Sequence, residues 1–168
     1  MFKKLDALEA PLCMRLVRCS QQKPVCQAFI FFSWLGNGPA WGILLAVACT
    51  YQWQGLGQAL VSVTLINALI YRQLKRYTIR RRPFVAHGDI QARTRALDEF
   101  SFPSGHTLHA VAITLTLAPY HPLMAMALLP VVVMIMGSRV ALGLHYPSDV
   151  LAGAALGWAV SEWVLGFL

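Results

Sequence analysis

The stretch FSFPSGHTLHAVAITLTLAPYHPLMAMALLPVVVMIMGS, Phe100 to Ser138, runs without a single Asp, Glu, Lys or Arg. It has room for two membrane spans of about 20 residues each. A second uncharged gap, Pro24 to Tyr71, could hold two more. The chain as a whole is 57% apolar and 12% charged, with a mean hydropathy of +0.56. A soluble domain this short and this apolar would lack the polar surface to cover itself. The composition therefore predicts an all-α fold, a polytopic membrane helical bundle.

Gly and Pro punctuate the first gap at GNGP, Gly36 to Pro39, and at YQWQGLGQ, Tyr51 to Gln58. The second of these is the expected turn between spans. About five spans follow: Gly38 to Trp53, with Val25 to Leu35 as an oblique or interfacial extension, then Leu56 to Leu74, Thr107 to Ala118, Leu123 to Leu142 and Val150 to Leu168. Residues 1–24 contain no apolar stretch of the kind a signal peptide carries. They read as an amphipathic segment on the membrane surface, with Leu5, Leu8, Leu12, Leu16 and Val17 near helical spacing. With no internal repeat and no low-complexity tract, residues 1–168 are expected to form a single domain. Cys13, Cys19, Cys26 and Cys49 show neither zinc-finger nor CxxC spacing and read as small apolar residues.

Five spans bring Lys75–Ser104 and Arg139–Asp149 to one membrane face. Lys3, Lys4, Arg15, Arg18 and Lys23 fall on that face too, whereas the opposite loops carry no Lys or Arg. The positive-inside rule would make it cytoplasmic. The net charge of +7 could suggest nucleic acid, but no basic–aromatic interleaving supports that partner. An anionic lipid headgroup fits better. A transporter is disfavoured because its polar site belongs near mid-bilayer rather than at one face.

Three clusters occupy the shared face. In KRYTIRRRP, Lys75 and Arg82 lie seven apart, about 10 Å along one face of a regular helix. Pro83 disfavours helix at Arg82, so the chain is expected to unwind there and turn the guanidinium inward. An Arg fork and a Lys point charge aimed at one place suit a phosphate; alone, they would equally suit an anchor for anionic lipid. In PSGH, Ser104 is a good N-cap, Gly105 lets a ligand approach the backbone, and the first-turn amides can bind an anion. His106 can reach the same anion or its leaving oxygen, while His109 reads as a packing residue. In GSRVALGLHYPSD, Pro147 starts a helix that brings Asp149 within reach of His145, fixing its tautomer and freeing the other nitrogen as nucleophile or base. Arg139 ends an apolar span and needs an anionic partner, either a substrate or Asp149.

At these residues the chain resembles the type 2 phosphatidic acid phosphatase (PAP2) family, with its K-x6-RP, PSGH and SR-x5-H-x3-D signatures. The match runs from Lys75 through Arg82-Pro83, Pro103 to His106, and Ser138-Arg139 to His145 and Asp149. The same motifs occur in vanadate-dependent haloperoxidases, which are larger and soluble, so the hydrophobicity favours the lipid-phosphatase branch. The resemblance implies a PAP2/haloperoxidase-like core and a lipid phosphate substrate bearing a phosphomonoester or pyrophosphate. In that scheme His145 attacks phosphorus, Asp149 orients it, and His106 protonates the leaving oxygen and then activates water. Lys75, Arg82, Ser104, Gly105 and Arg139 would hold the phosphoryl oxygens. No cofactor and no metal are implied. Phosphatidic acid, phosphatidylglycerol phosphate, prenyl phosphates or pyrophosphates and lipid A phosphates all fit the family. A lipid-to-lipid phosphotransferase and an inactive lipid-phosphate-binding protein are the alternatives. The resemblance implies a bacterial inner membrane, where many relatives work on the outer face and often have six spans.

Overall fold

A computed structural model describes residues 2–51 and 53–167 of the chain. Met1, Gln52 and Leu168, which belong to the expected N-terminal segment, first turn and fifth span, lie outside the described residues. The described residues form α1 (Lys3–Cys19), α2 (Lys23–Leu35), α3 (Gly38–Tyr51), a π-helical turn (Trp53–Gly57), α4 (Gln58–Thr78), a short α5 (Pro83–Ala86), α6 (Gly105–Leu117), α7 (Pro122–Ala141) and α8 (Pro147–Leu165). The bundle is all-helical, as the composition requires.

Both glycine-rich breaks are used. At Gly36 and Asn37 the axis bends by 42° between α2 and α3, and the π-helical turn separates α3 from α4. Helix α7 is long and apolar enough to cross a membrane by itself, and α2 with α3 meets the same criterion jointly. Helix α6 starts at Gly105 and runs only to Leu117, and α4 carries Arg72, Lys75 and Arg76 near its end. Outward-facing Ile43, Val47, Leu65, Leu69, Leu123, Val133, Leu151 and Trp158 are all exposed. An apolar surface on every side of a bundle is stable against lipid rather than water.

Helix α1 lies across the end of the bundle, packed on α7 and α5. Its Leu5, Leu8, Leu12 and Leu16 point outward. Val17 departs from the expected apolar stripe, turning inward with Cys13 to pack against Val140 and Tyr146.

The most extensive helix contact joins α6 to α8. Gly153 and Gly157 lie one turn apart on α8, and a Cβ on either would come within 2.6 Å of the Ser104 or Leu108 carbonyl oxygen on α6. Small residues let two backbones approach this closely. Farther along, Thr116 and Ser161 share a buried hydroxyl hydrogen bond of 3.1 Å. Gly157→Ala should therefore cost about 1–3 kcal/mol by overpacking. The expected outcome is a lower unfolding temperature in detergent, and an unchanged melting curve would contradict this packing.

Candidate active site

The ends of α4 and α7 and the starts of α6 and α8 meet at one end of the bundle. The Ser104 amide donates to the Asp149 carbonyl at 3.0 Å, and the Arg93 amide donates to the Leu142 carbonyl at 3.2 Å. The two polar segments therefore form one wall.

Lys75 and Arg82 converge, but not by helical periodicity. Helix α4 ends at Thr78, and Ile79 takes a left-handed conformation with φ 47°. For a β-branched residue this costs on the order of 1–2 kcal/mol. The chain then runs extended, where alternate residues share a face: Arg80 and Arg82 are buried and Arg81 is exposed. The Arg81–Phe100 bridge and the Ser101 amide on the Arg80 carbonyl at 2.8 Å hold that run in place.

Arg82 Nη1 donates to the Leu144 carbonyl at 2.8 Å and lies 3.1 Å from His145 Nε2. A guanidinium can only donate, so Nε2 is the acceptor and the proton of the neutral ring is on Nδ1. His145 Nδ1 faces Asp149 Oδ2 at 3.6 Å, longer than a hydrogen bond, and has no bonded partner. Asp149 lies nearby as expected, but its bonds go elsewhere. It accepts from Ser101 Oγ, from the Tyr146 amide at 2.8 Å and from Arg80 Nη1 at 2.6 Å.

Arg80 has no place in the three signatures, yet it is the most heavily bonded cation in the fold. Besides Asp149 it holds Asp6, Glu9 and the Ser148 hydroxyl, and its guanidinium lies 4.7 Å from the Phe2 ring and 4.2 Å from the Tyr146 ring. Burial opposes its charge, but the Asp149 charge and the bonds to Glu9 and Asp6 outweigh that and push the guanidinium up.

Arg139 is the opposite case. It is buried, its Nη1 donates to Ser33 Oγ, and its Nε has no partner. Among the described residues it makes no ion pair, so the possible pairing with Asp149 is not realised.

Ser104 stands at the N-cap of α6, but its hydroxyl makes no bond to the first-turn amides and instead accepts from Thr107 Oγ1 at 3.1 Å. A Cβ on Gly105 would lie 2.8 Å from the Tyr71 ring, so this glycine also permits α6 to sit against α4. His106 Nε2 lies 2.7 Å from Asn37 Oδ1, which ties α6 to the bend between α2 and α3.

Motif spacing missed Asn37, Tyr71, Arg80, Asp98 and Ser101. Asn37 could have been found from its place in the GNGP break. Asp98 lies in an irregular loop with no spacing to mark it, yet it bonds both Lys75 and Arg82.

His106, His145, Gly105, Asp98, Tyr71 and Asn37 line a cleft of about 210 Å³. Through Gly36, Gly38 and His109 it adjoins an apolar cavity of about 280 Å³ bounded by Trp41, Gly42, Leu45 and Ile113. Among the described residues, no group of three or more His, Cys, Asp or Glu side chains is placed to hold a metal ion.

Burial holds the His145 imidazole well below its usual range, and the charges of Arg82, Arg139 and Lys75 add to that. The ring should stay neutral at pH 6, where a free imidazole of pKa about 6.5 is mostly protonated. The unfolded chain then binds a proton that the folded chain refuses, so stability should fall as pH drops below about 6.5. Nitrogen NMR of histidine-labelled protein should show His145 neutral at pH 6; ordinary titration near 6.5 would contradict this electrostatic picture.

A family model described as the PAP2 superfamily matches residues 55–168. Phosphatidylglycerophosphatase B of Bacillus subtilis is 32% identical over 126 residues, covering 68% of this chain and 58% of the relative. The chain thus spans little more than half of that protein's length. The crystal structure of LpxE from Aquifex aeolicus superposes with a TM-score of 0.84 at 26% identity, covering 95% of both chains. The first transmembrane PAP2-type phosphatidylglycerolphosphate phosphatase structure, from Bacillus subtilis, gives 0.75 at 24% identity over 99% of this chain and 96% of that one, a likeness of fold alone.

Proposed function

The chain belongs to the PAP2 superfamily, and from that premise we propose that it is a membrane lipid phosphatase working through a phosphohistidine. The observation that carries the proposal is Arg139, a buried guanidinium with no ion pair among the described residues, whose backbone carbonyl accepts the His145 amide at 3.0 Å and whose charge acts on both His145 and His106. A buried unpaired charge is costly unless an anion from outside completes it. A phosphoryl group supplies that anion.

In this scheme Arg82 Nη1 turns from His145 Nε2 to a phosphoryl oxygen, and the freed Nε2 lone pair attacks phosphorus as the bond from phosphorus to the lipid oxygen breaks. The proton on Nδ1 faces Asp149, which stabilises the positive ring that forms. His106 gives its proton to the leaving oxygen and then takes one from the water that cleaves the phosphorus–nitrogen bond, releasing phosphate. Lys75, Arg82, Arg139 and the α6 amides beside Ser104 and Gly105 balance charge on the phosphoryl oxygens. The proposed reaction is metal-independent, with these cations in the role a divalent ion would otherwise take. The apolar cavity receives part of the lipid chain, since it adjoins the catalytic cleft and opens among α3, α4 and α6.

His145→Ala should abolish phosphate release from lipid phosphates, by at least about a thousandfold, with the helical circular dichroism retained. Hydrolysis at near wild-type rate would remove the mechanism. His106→Ala should slow alkyl phosphates more than esters with acidic leaving groups. An equal loss on both would remove its acid role. A Cβ on Gly42 meets nothing within 4 Å, so Gly42→Leu projects into open cavity. It should raise KM for long-chain lipid phosphates by about tenfold, the size of a few lost methylene contacts, and raise KM less for short-chain ones.

A further inference from the structure

Asp98 stands among the cations that the proposed reaction assigns to the phosphoryl oxygens. Its Oδ1 accepts from Lys75 Nζ and, at 2.8 Å, from Arg82 Nη2, while its Oδ2 accepts from Tyr71 at 2.7 Å. Arg82 Nε also holds the Asp98 backbone carbonyl at 3.0 Å. Two of the three cations assigned to phosphoryl oxygens therefore already face a carboxylate. Burial alone would raise this carboxyl, but the bonds and charges of Lys75, Tyr71 and Arg82 hold it well below the usual carboxylate range. It is ionised at neutral pH.

The position also lets its charge act on a bound ligand. The Asp98 side chain is 29% exposed at the cleft, whereas those of Lys75 and Arg82 are 8% and 2% exposed. A carboxylate serving only to brace the two cations would be expected behind them, as Asp149 lies behind Arg80 with no exposure. Lys75, Arg82 and Arg139 against Asp98 leave two positive charges, with His145 neutral. A phosphomonoester carries about −1.5 to −2 at pH 7, and a diphosphate roughly one charge more.

We propose that Asp98 is a resident counter-anion of the phosphate cradle, whose charge fits the site to a phosphomonoester dianion and discriminates against a diphosphate. This inference rests on the phosphate-site reading above and narrows its substrate class. A monoester neutralises the cradle with Asp98 in place, whereas a diphosphate leaves a surplus negative charge beside it. Repulsion across a few ångströms of partly screened site is enough to set specificity.

The test is equilibrium binding of inorganic orthophosphate and inorganic diphosphate to the full chain in detergent, for wild type, Asp98→Asn and Asp98→Glu. Asp98→Asn should tighten diphosphate by roughly tenfold or more and orthophosphate by less, shifting their affinity ratio. Asp98→Glu keeps the charge and should keep the wild-type ratio, as should Tyr71→Phe. Should Asp98→Asn fail to fold by circular dichroism, Asp98→Ser takes its place with the same expectation. An unchanged ratio, or weaker binding of both anions, would overturn the inference, the second result making Asp98 a brace for Lys75 and Arg82. If the wild type binds orthophosphate and hydrolyses lipid phosphate while the ratio stays fixed, only this inference falls. If the wild type binds neither anion, the phosphate-site reading falls with it.

Discussion

The distance between α6 and α8 decides almost everything at the polar end of the bundle. Gly153 and Gly157 let the two backbones touch, and the Ser104 amide then reaches the Asp149 carbonyl at 3.0 Å. That contact brings the start of one helix, with His106, beside the start of the other, with His145 just before it and Asp149 in its first turn. The α6 N-terminus, short of intrahelical partners for its first amides, meets the cleft at Gly105 and His106, whereas the first turn of α8 is closed by Glu9 on the Ser148 amide. A wider spacing would leave the histidines serving separate surfaces.

Within that frame the buried charges divide sharply. Arg80 is saturated by three carboxylates and two aromatic faces, which makes it a strut between α1 and α8. Among the described residues the Arg139 side chain is bonded to Ser33 and to no carboxylate, and Lys75 and Arg82 share Asp98. Charges of the first kind stabilise a fold when their geometry is satisfied, and charges of the second kind make room for a ligand. The two kinds alternate along a few residues of extended chain, because Arg80 and Arg82 share a buried face and reach different partners from it.

The N-terminal helix is tied into this charge network. Its leucines face outward, while Asp6 and Glu9 reach inward to Arg80, and Glu9 Oε1 accepts the Ser148 amide at 2.7 Å. A carboxylate at the start of α8 is favourable to that helix's dipole. The N-terminal helix and the helix bearing Asp149 are thus tied together at the polar end of the bundle.

The helical, membrane-suited character was legible from uncharged runs alone, since backbone in lipid has few other ways to satisfy its polar groups. The same runs located the breaks at Gly36–Asn37 and after Tyr51, because glycine-rich stretches interrupt helices wherever they fall. The spacing of Lys75, Arg82, Ser104, His106, Arg139, His145 and Asp149 also selected the residues that meet. What spacing could not express was pairing. Asp149 bonds Arg80 rather than Arg139, Lys75 and Arg82 meet through a left-handed turn at Ile79, and Asn37 and Asp98 enter the cleft from segments without periodicity. A motif records which residue types stand at which spacing along one run of chain; which charge neutralises which depends on distances between segments far apart in sequence, and only the packed bundle decides those.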